Sequence, residues 1–172
     1  MGLRPVRRLK PEDDVGEFDS SESELDDWLR KYALSDQNAS ASVTYVLIRG
    51  DQVVGFYTIA PHSVEAEGHD TGRLGRGLPS ERSIPVFLLA RLALNKSEHG
   101  VGLGGDLLSD ALLRCLGGAD EFGGRAVLVH AKHEKAAEFY RHYGFLDLPE
   151  NDLHLYMLMK DIKKSVVVAA DE

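Results

Sequence analysis

The apolar residues near the start of the chain recur at helical spacing. From about 22 to 34 they occupy positions i, i+3, i+4 and i+7, namely Leu25, Trp28, Leu29 and Tyr32. This spacing puts them on one face of an amphipathic helix. Ser21 and Glu24 stand three residues apart just before the apolar run, which predicts a capping box at the start of the helix.

Two β-rich runs follow, separated by a turn signal. VTYVLIR precedes Gly50-Asp51 and QVVGFYTIA follows it, a pattern that predicts a β-hairpin whose second strand ends at Pro61. From Glu65 to Arg82 the chain is polar and glycine-rich with almost no apolar periodicity, which predicts a long loop. Such loops are uncommon in compact domains unless they are functional or disordered.

The stretch from Ile84 to Cys115 combines an apolar run, a glycine-dense loop and an amphipathic helix. IPVFLLARLALN predicts a strand, and HGVGLGGD leads into a helix that starts near Gly102. Glycine permits positive φ and a close approach to a ligand. A loop of this kind points backbone N–H groups outward, and the helix N-terminus adds partial positive charge. We therefore predict an anion site, and a plain tight turn is the alternative.

The rest of the chain predicts a crossover and a closing strand. AVLVHA is typical of a buried parallel strand, a helix follows that ends at Gly144, and LHLYMLMK alternates as a strand. Residues 163–172 are predicted to form a C-terminal tail. The element order joins an antiparallel meander to a parallel β-α-β unit, which predicts an α+β fold with a mixed central sheet and flanking helices, in a single domain over 1–162.

Composition and charge narrow the classes of function. The 172 residues are 43% apolar, and no apolar run reaches the roughly eighteen residues of a spanning helix, so we expect a folded cytoplasmic protein. The single cysteine, Cys115, is expected to be buried and inert. A net charge of −8 argues against broad nucleic-acid binding but leaves room for a local basic patch. Arg73, Arg76 and Arg82 are the candidates, with a merely solvated loop as the alternative.

The chain contains seven histidines, a residue type that commonly binds metal ions. His130 and His133 form the only tight pair, and no third ligand stands at a fixed spacing nearby. We therefore predict no metal site. A histidine at a strand end has another use, since it can tune or relay a proton.

Two motifs carry a resemblance to a known family. The segment from His99 to Gly104 resembles the pyrophosphate loop of the GNAT N-acetyltransferases, Gln/Arg-x-x-Gly-x-Gly/Ala, with a histidine in the first position. The loop lacks the Lys-Ser/Thr of a P-loop and the acidic partner of a Rossmann motif. The segment from Ala136 to Phe145 resembles the A-x-x-F-Y-x-x-x-G-F of the same family.

The resemblance implies acetyl-CoA as cofactor, held where strands four and five splay apart. The residues it implies for cofactor binding lie on the strand end, on the glycine loop and before the next helix: Leu92, Ala93, Leu94, His99, Gly100, Val101, Gly102, Leu103, Gly104, Gly105 and His133. It also implies that Tyr140 is catalytic and stabilises or protonates the departing CoA thiolate. Core packing is the alternative for Tyr140. We further predict that Arg91 joins the three loop arginines in binding substrate.

A narrower resemblance covers Phe18 to Ile162. FDSSESELDDWLRKYA, TYVL and IPVFLLARLAL resemble the GNAT toxins of bacterial toxin–antitoxin pairs. This implies acetylation of the α-amine of aminoacyl-tRNA, which blocks translation, together with a ribbon-helix-helix antitoxin and a homodimer. The alternatives are acetylation of a small amine or a protein N-terminus, and a non-catalytic acyl-CoA-binding interaction module.

A chemical argument favours the same substrate. Strand 84–94 carries no Glu, Asp or His that would deprotonate an incoming amine. A lysine ε-amine has a pKa of about 10.4, whereas an α-amine near 8 loses its proton far more readily. The missing base therefore favours an activated α-amine.

Overall fold

The computed structural model describes the backbone of residues 2–171 and the side chains of residues 2–165. The helices are α1 (Ser23–Lys31), α2 (Ala33–Asn38), α3 (Leu103–Phe122), α4 (Glu134–His142) and α5 (Met159–Asp171). The strands are β1 (Arg7–Arg8), β2 (Val43–Arg49), β3 (Gln52–Glu65), β4 (Ser83–Leu94), β5 (Ala126–His130), β6 (Leu146–Asp147) and β7 (His154–Leu158). Two 3₁₀ turns occupy Gly72–Gly75 and Lys96–Glu98.

The strands form a mixed sheet in the order β1-β2-β3-β4-β5-β7-β6. β4 and β5 are parallel and α3 connects them, whereas β2 pairs with β3, and β5 with β7, in antiparallel fashion. The predicted α+β class with a mixed central sheet is therefore confirmed. The chain divides into two compact units, 1–60 with 90–111 and 61–89 with 112–172, which we call the first and second units.

The core of the first unit packs helix α1 on the β2–β3 hairpin. Phe56 is fully buried, and its ring meets Phe18 edge-to-face at 5.5 Å and stacks on Trp28 at 6.3 Å. The apolar face expected for the first helix is thus present. The chain changes direction at Tyr32, however, which separates α1 from α2, so the helix is shorter than predicted.

The predicted capping box is wrong. The residue at the N-cap of α1 is Glu22, which makes no side-chain cap, and Ser21 has a φ of 75° outside the helix. The buried carboxylate of Asp26 accepts hydrogen bonds from the backbone and the hydroxyl of Ser20 instead. This contact reaches backward from within the helix, so the S-x-x-E spacing does not reveal it.

The β2–β3 hairpin forms around Gly50, which has a φ of 63°, as the turn signal indicated. The predicted strand end at Pro61 is wrong, because β3 continues to Glu65. Proline has no N–H to donate, so it interrupts a strand only where a neighbouring strand needs that hydrogen bond. The pairing with β2 stops at Ile59, so that edge of β3 requires no donor at Pro61.

The second unit encloses a separate core that includes Leu74, Leu128 and Tyr156. Helix α3 runs through Gly117 and Gly118 and ends at Phe122. The Phe87 ring explains the glycine at 118, since an added Cβ there would lie 3.1 Å from its Cζ atom. This glycine makes room for an aromatic ring and does not mark a helix end.

The C-terminal part of the chain contains a further helix. Helix α5 runs from Met159 to Asp171, through the segment expected to be a tail, and Ile162 on it is buried. Cys115 is buried as predicted, and burial raises the pKa of its thiol to about 12, so it is not a nucleophile at neutral pH. Among the described helices, none has both the length and the apolar character needed to cross a bilayer.

Candidate functional site

The glycine loop His99–Gly105, which we call the cofactor loop, leads into helix α3 in the first unit. Gly100 and Gly102 have φ values of 82° and 86°, a region that other residues rarely adopt. A Cβ at either position would meet no atom within 4 Å, so this part of the loop faces open space. The first-turn N–H groups of a 20-residue helix begin at Leu103. The loop therefore has the backbone geometry and the partial positive charge of an anion site.

The turn before the cofactor loop is held firmly in place. Arg49 donates two hydrogen bonds to the buried carboxylate of Glu98, at 2.7 and 3.1 Å. Hydrogen bonding from Arg49 lowers the pKa of Glu98. Lys96 forms an ion pair with Asp19 at 2.9 Å. The exposed loop thus starts from a fixed base.

His99 fixes the loop to strand β4. Its Nε2 lies 2.8 Å from the carbonyl oxygen of Leu94, and Nε2 must carry the proton because a carbonyl only accepts. The histidine that replaces the usual Gln or Arg is therefore an anchor between the strand end and the loop. Among the predicted cofactor residues on β4, Ala93 and Leu94 are buried and Leu92 is half-buried.

A contact between a strand and helix α3 holds the helix behind the loop. Tyr57 on β3 is fully buried and donates its hydroxyl hydrogen bond to the carboxylate of Asp110 on α3. The Tyr57 ring also stacks on Tyr45 at 5.1 Å. Asp110 interrupts the apolar face that includes Leu108 and Ala111, and a carboxylate in that place is the signal that points to a buried partner.

In the second unit, helix α4 carries Tyr140 and is capped by His133. The His133 Nδ1 atom accepts a hydrogen bond from the backbone N–H of Ala136 at 3.1 Å, so its ring serves the helix start. Tyr140 is 8% exposed, and its ring packs edge-to-face against Phe139 and Phe145 at 5.2 and 5.3 Å. These contacts set the position of the ring, while the chemistry of its hydroxyl stays a prediction.

The predicted long loop is present at residues 66–82, which we call the arginine loop, and part of it is packed. Leu74 lies in the middle of it with no exposed surface. Arg125 donates hydrogen bonds to the carbonyl oxygens of Leu74 and Arg76, at 3.0 and 2.6 Å. The Arg73 side chain reaches Asp161 at 3.3 Å. Of the loop's predicted substrate-binding residues, Arg76 and Arg82 are exposed, whereas Arg73 is half-buried and paired with Asp161.

Arg91, the fourth predicted substrate-binding residue, belongs to the first unit. Its guanidinium carbon lies 4.0 Å from the centre of the Trp28 ring, a cation–π contact. Burial is the main effect on its pKa and lowers it. Arg91 is thus tied to helix α1 through Trp28.

The histidine rings that lie together are not the two that stand closest in sequence. His130 stacks on His154 with ring centroids 3.8 Å apart and meets His62 edge-to-face at 5.7 Å, while His133 caps α4. Among the described residues, no group of three His, Cys, Asp or Glu side chains is arranged to hold a metal ion. The three rings come from β3, β5 and β7, and only the sheet topology brings these strands together.

Comparison with known proteins identifies close relatives. No family model matches the chain. A tRNA-acetylating toxin of Mycobacterium tuberculosis is 46% identical over 162 residues, which cover 94% of this chain and 96% of the relative. The chain is also similar to AtaT complexed with acetyl-methionyl-tRNAfMet, with a TM-score of 0.85 and 26% identity over 96% of this chain and 99% of that one.

A further structure of AtaT contains other ligands. It is a variant with a Tyr-to-Phe substitution, bound to the C-terminus of the antitoxin AtaR and to acetyl-CoA. This chain matches it with a TM-score of 0.81 and 26% identity, over 96% of this chain and 98% of that one.

Proposed function

The chain belongs to the tRNA-acetylating toxins, and from this premise we propose that it transfers the acetyl group of acetyl-CoA to the α-amine of an aminoacyl-tRNA and so blocks translation. The observation that carries the proposal is the open cofactor loop at the start of α3. Its positive-φ glycines and helix N-terminus fit the pyrophosphate of a CoA ester.

The residues of β4 and the cofactor loop would hold acetyl-CoA. Backbone N–H groups from Gly100 to Gly105 would bind the pyrophosphate, and the backbone at Leu92 and Ala93 would pair with the pantetheine arm. The carbonyl of Leu94 already accepts a hydrogen bond from His99, so its part is to orient the loop. Acetyl-CoA supplies an activated acyl group, and these residues bind and orient it.

Tyr140 is the proposed catalytic residue. When the amine attacks the thioester carbonyl, charge develops on the departing sulfur, and a phenolic O–H stabilises or protonates it. Packing against Phe139 and Phe145 limits the movement of the ring, so the hydroxyl has a defined direction. His133 would contribute through the start of α4, which it caps.

The proposed acceptor is an α-amine on tRNA, met through a small basic patch. β4 has no acidic or histidine side chain from 84 to 94, which favours an amine that loses its proton easily. Arg76 and Arg82 are exposed and able to bind phosphates, whereas the Arg73 side chain already forms an ion pair with Asp161. Arg91 would meet the acceptor separately.

The relatives also guide proposals about partners. AtaT is solved with the C-terminus of its antitoxin, and we propose an antitoxin for this chain as well, of the ribbon-helix-helix type. We further propose a homodimer, a cytoplasmic location where charged tRNA is found, and a single acetyltransferase domain over 1–162.

Replacing Tyr140 with phenylalanine tests the chemistry. The hydroxyl acts mainly in the transition state, so Tyr140→Phe should lower the single-turnover rate with charged tRNA by about a hundredfold, the low end of the general-acid range. The Kd for acetyl-CoA and the Tm should stay the same, and growth inhibition in cells should be lost.

A matched control stands just after the same helix. Tyr143→Phe removes a hydroxyl from a ring that is 37% exposed and should keep the parent rate. Equal rates for Tyr140→Phe and the parent would show that Tyr140 only packs in the core and takes no part in the reaction.

One observation favours a second function, the acetylation of a small amine or a protein N-terminus. The net charge of −8 opposes the approach of a polyanion. A panel of charged tRNA, polyamines and peptides, compared by kcat/KM, separates the two functions.

A further inference from the structure

A half-buried arginine in the first unit has no carboxylate bonded to it. The guanidinium carbon of Arg91 lies 4.0 Å from the centre of the Trp28 ring. Trp28 in turn stacks on the buried ring of Phe56 at 6.3 Å, so the core holds the indole in place. Among residues 2–165, Arg91 takes part in no ion pair and no side-chain hydrogen bond. The N–H donors of its guanidinium are therefore available to a ligand.

Asp36 on α2 is the carboxylate whose charge reaches Arg91. Burial lowers the pKa of Arg91, and the charge of Asp36 acts in the opposite direction. The two side chains nevertheless form no ion pair. The half-buried carboxylate of Asp36 also accepts no hydrogen bond within the part of the chain that the structure describes. A ligand that accepts from the guanidinium or donates to the carboxylate would satisfy groups that the protein leaves without partners.

An exposed tyrosine stands between these two neighbours of Arg91. The backbone N–H of Tyr32 donates to the carbonyl of Trp28, and the N–H of Asp36 donates to the carbonyl of Tyr32, both at 2.9 Å. Trp28, Tyr32 and Asp36 therefore follow one another at intervals of one turn. Arg91 contacts the first of them and is within electrostatic reach of the last. Tyr32 is 55% exposed, so much of its ring is open to solvent.

Planar groups arranged in this way suit an unpaired nucleobase. Bases of single-stranded RNA stack on aromatic rings and on guanidinium planes, and their edges form hydrogen bonds. The Arg91 guanidinium lies over the Trp28 ring, and Tyr32 adds an exposed ring. A carboxylate such as that of Asp36 only accepts hydrogen bonds, so it favours a base edge with an amino group. Adenine has such an amino group and a large surface for stacking.

The position of Arg91 on strand β4 connects these residues to the proposed reaction. Arg91 directly precedes Leu92 and Ala93, whose backbone is proposed to pair with the pantetheine arm of acetyl-CoA. Ala93 packs in the same core cluster as Phe56 and Trp28, and all these residues belong to the first unit. The amino acid of a charged tRNA is esterified to the terminal adenosine. A base bound beside Arg91 would thus lie next to the strand that holds the acetyl donor.

We propose that four residues of the first unit form a binding site for one unpaired adenine, the terminal adenosine of the charged tRNA. These residues, which we call the base platform, are Trp28, Tyr32, Asp36 and Arg91. The inference rests on the proposed function, because it names the part of the tRNA that the first unit binds. CoA also carries an adenine, so the test has to separate these two sources of the same base.

The single tryptophan of the chain belongs to the base platform and reports directly on it. Titration of the full-length protein with AMP should change the fluorescence of Trp28, excited at wavelengths that adenine does not absorb. Ribose phosphate lacks the base and should leave the fluorescence unchanged. The AMP signal should persist when the protein is saturated with CoA, because the adenine of the cofactor is expected to bind elsewhere.

Asp36 should give the base platform its preference for adenine. IMP has a carbonyl group where AMP has the amino group, so it cannot donate to the carboxylate from that position. IMP should therefore bind about tenfold more weakly than AMP, the effect of one lost hydrogen bond to a charged group. Asp36→Asn keeps the size of the side chain, and its amide donates as well as accepts, so most of the difference between AMP and IMP should disappear.

Variants of the exposed ring connect binding to the reaction. Tyr32→Ala should raise the Kd for AMP and the apparent KM for charged tRNA about tenfold, the low end of the range for one stacked base. The kcat should not change, because the base is bound equally in the ground state and the transition state. The Kd for acetyl-CoA and the Tm should also stay the same. Tyr32→Phe keeps the ring and should match the parent, as should Phe122→Ala, which removes a ring that is 87% exposed on α3.

The outcomes are distinct. The inference is overturned if AMP leaves the fluorescence of Trp28 unchanged, or if Tyr32→Ala retains the parent Kd for AMP or the parent KM for charged tRNA. Loss of the AMP signal on saturation with CoA would assign the base platform to the adenine of the cofactor and would also overturn it. Failure of the parent to acetylate charged tRNA defeats the proposed function instead, and the AMP titrations still show whether the four residues bind adenine.

Discussion

The cofactor loop and the arginine loop look alike in sequence, and the structure separates them. Both are rich in glycine and poor in apolar periodicity. In the cofactor loop, Gly100 and Gly102 face open space, and the anchors lie behind them at Glu98 and His99. In the arginine loop, Leu74 is fully buried, and Arg125 holds the backbone at Leu74 and just beyond it.

The difference shows two separate uses of glycine. Gly102 supplies a positive φ next to empty space, which suits a ligand that approaches the backbone. Gly72 also has a positive φ, of 59°, but a Cβ there would lie 3.1 Å from the hydroxyl of Tyr156. A glycine count does not distinguish these cases, because the neighbour that matters for Gly72 is distant in the chain.

The largest expected effect on ligand binding comes from placing a charge in the cofactor loop. Gly104 lies in the first turn of α3 with a helical backbone, so a side chain there adds no strain from positive φ. Gly104→Glu should weaken acetyl-CoA binding at least about a hundredfold, or about 2.7 kcal/mol, because a carboxylate would face the pyrophosphate. Isothermal calorimetry measures the Kd.

Gly104→Gln is the matched control, with the same size and no charge. It should bind acetyl-CoA more tightly than the glutamate variant, and the gap should shrink as salt is added. Parent-like affinity in both variants would mean that the pyrophosphate is bound elsewhere.

A substitution in the arginine loop should reduce the stability of the protein, whereas the substitutions in the cofactor loop reduce ligand binding. Leu74→Ala empties a site with no exposed surface and should lower the free energy of unfolding by about 2–5 kcal/mol. Leu78→Ala, at a position 37% exposed in the same loop, should cost far less. Urea unfolding measures both, and two equal small losses would show that this loop is not packed.

The anchor of the cofactor loop gives a prediction of intermediate size. Glu98→Gln removes the charge that Arg49 meets with two hydrogen bonds, which should raise the Kd for acetyl-CoA several-fold, about 1 kcal/mol for a weakened charge-assisted bond. The affinity for acetyl-CoA and the Tm should fall together. Glu98→Asp keeps the charge and should recover part of both, and unchanged affinity in Glu98→Gln would show that the loop does not need this anchor.

The pH dependence of the anchor has a defined sign. The pKa of Glu98 is lower in the folded protein, so its contribution is present above its unfolded pKa and is lost as the pH falls through the folded value. His130 acts at higher pH: its folded pKa is about 4, so stability should already decline as the pH falls below about 6.5, the unfolded value. As the pH is lowered from about 7 to about 4, the Tm should fall first through His130 and then through Glu98, and the first decline should be smaller in His130→Gln.

The local patterns predicted much of this molecule, and the failures have a common physical cause. The glycine loop, the hairpin at Gly50 and the mixed sheet follow from spacing within short segments, and these are present. The end of β3 and the packing of Gly118 depend on partners distant in sequence, namely the extent of β2 and the ring of Phe87. The histidine cluster depends on three strands, so the spacing of His130 and His133 along the chain could not reveal it.

The smallest expected effect tests whether the arginine loop also binds substrate. The side chains of Arg76 and Arg82 are exposed, whereas Arg73 is shared with Asp161, so the first two are the better placed to replace counterions on tRNA phosphates. Replacing Arg76 and Arg82 with alanine should raise the apparent KM for charged tRNA several-fold and reduce its salt slope by about one for each phosphate that is no longer bound. The Kd for acetyl-CoA should not change.

Arg73→Ala sharpens this test, because it removes the same charge from the same loop. It should lower the Tm slightly by removing the ion pair with Asp161 and leave the salt slope close to that of the parent. If Arg73→Ala changes the slope as much as the double variant does, the ion pair opens when tRNA binds and the whole loop is the contact surface. If neither variant changes it, the arginines only solvate a packed loop, and the contrast with the cofactor loop becomes one between a binding element and a structural one.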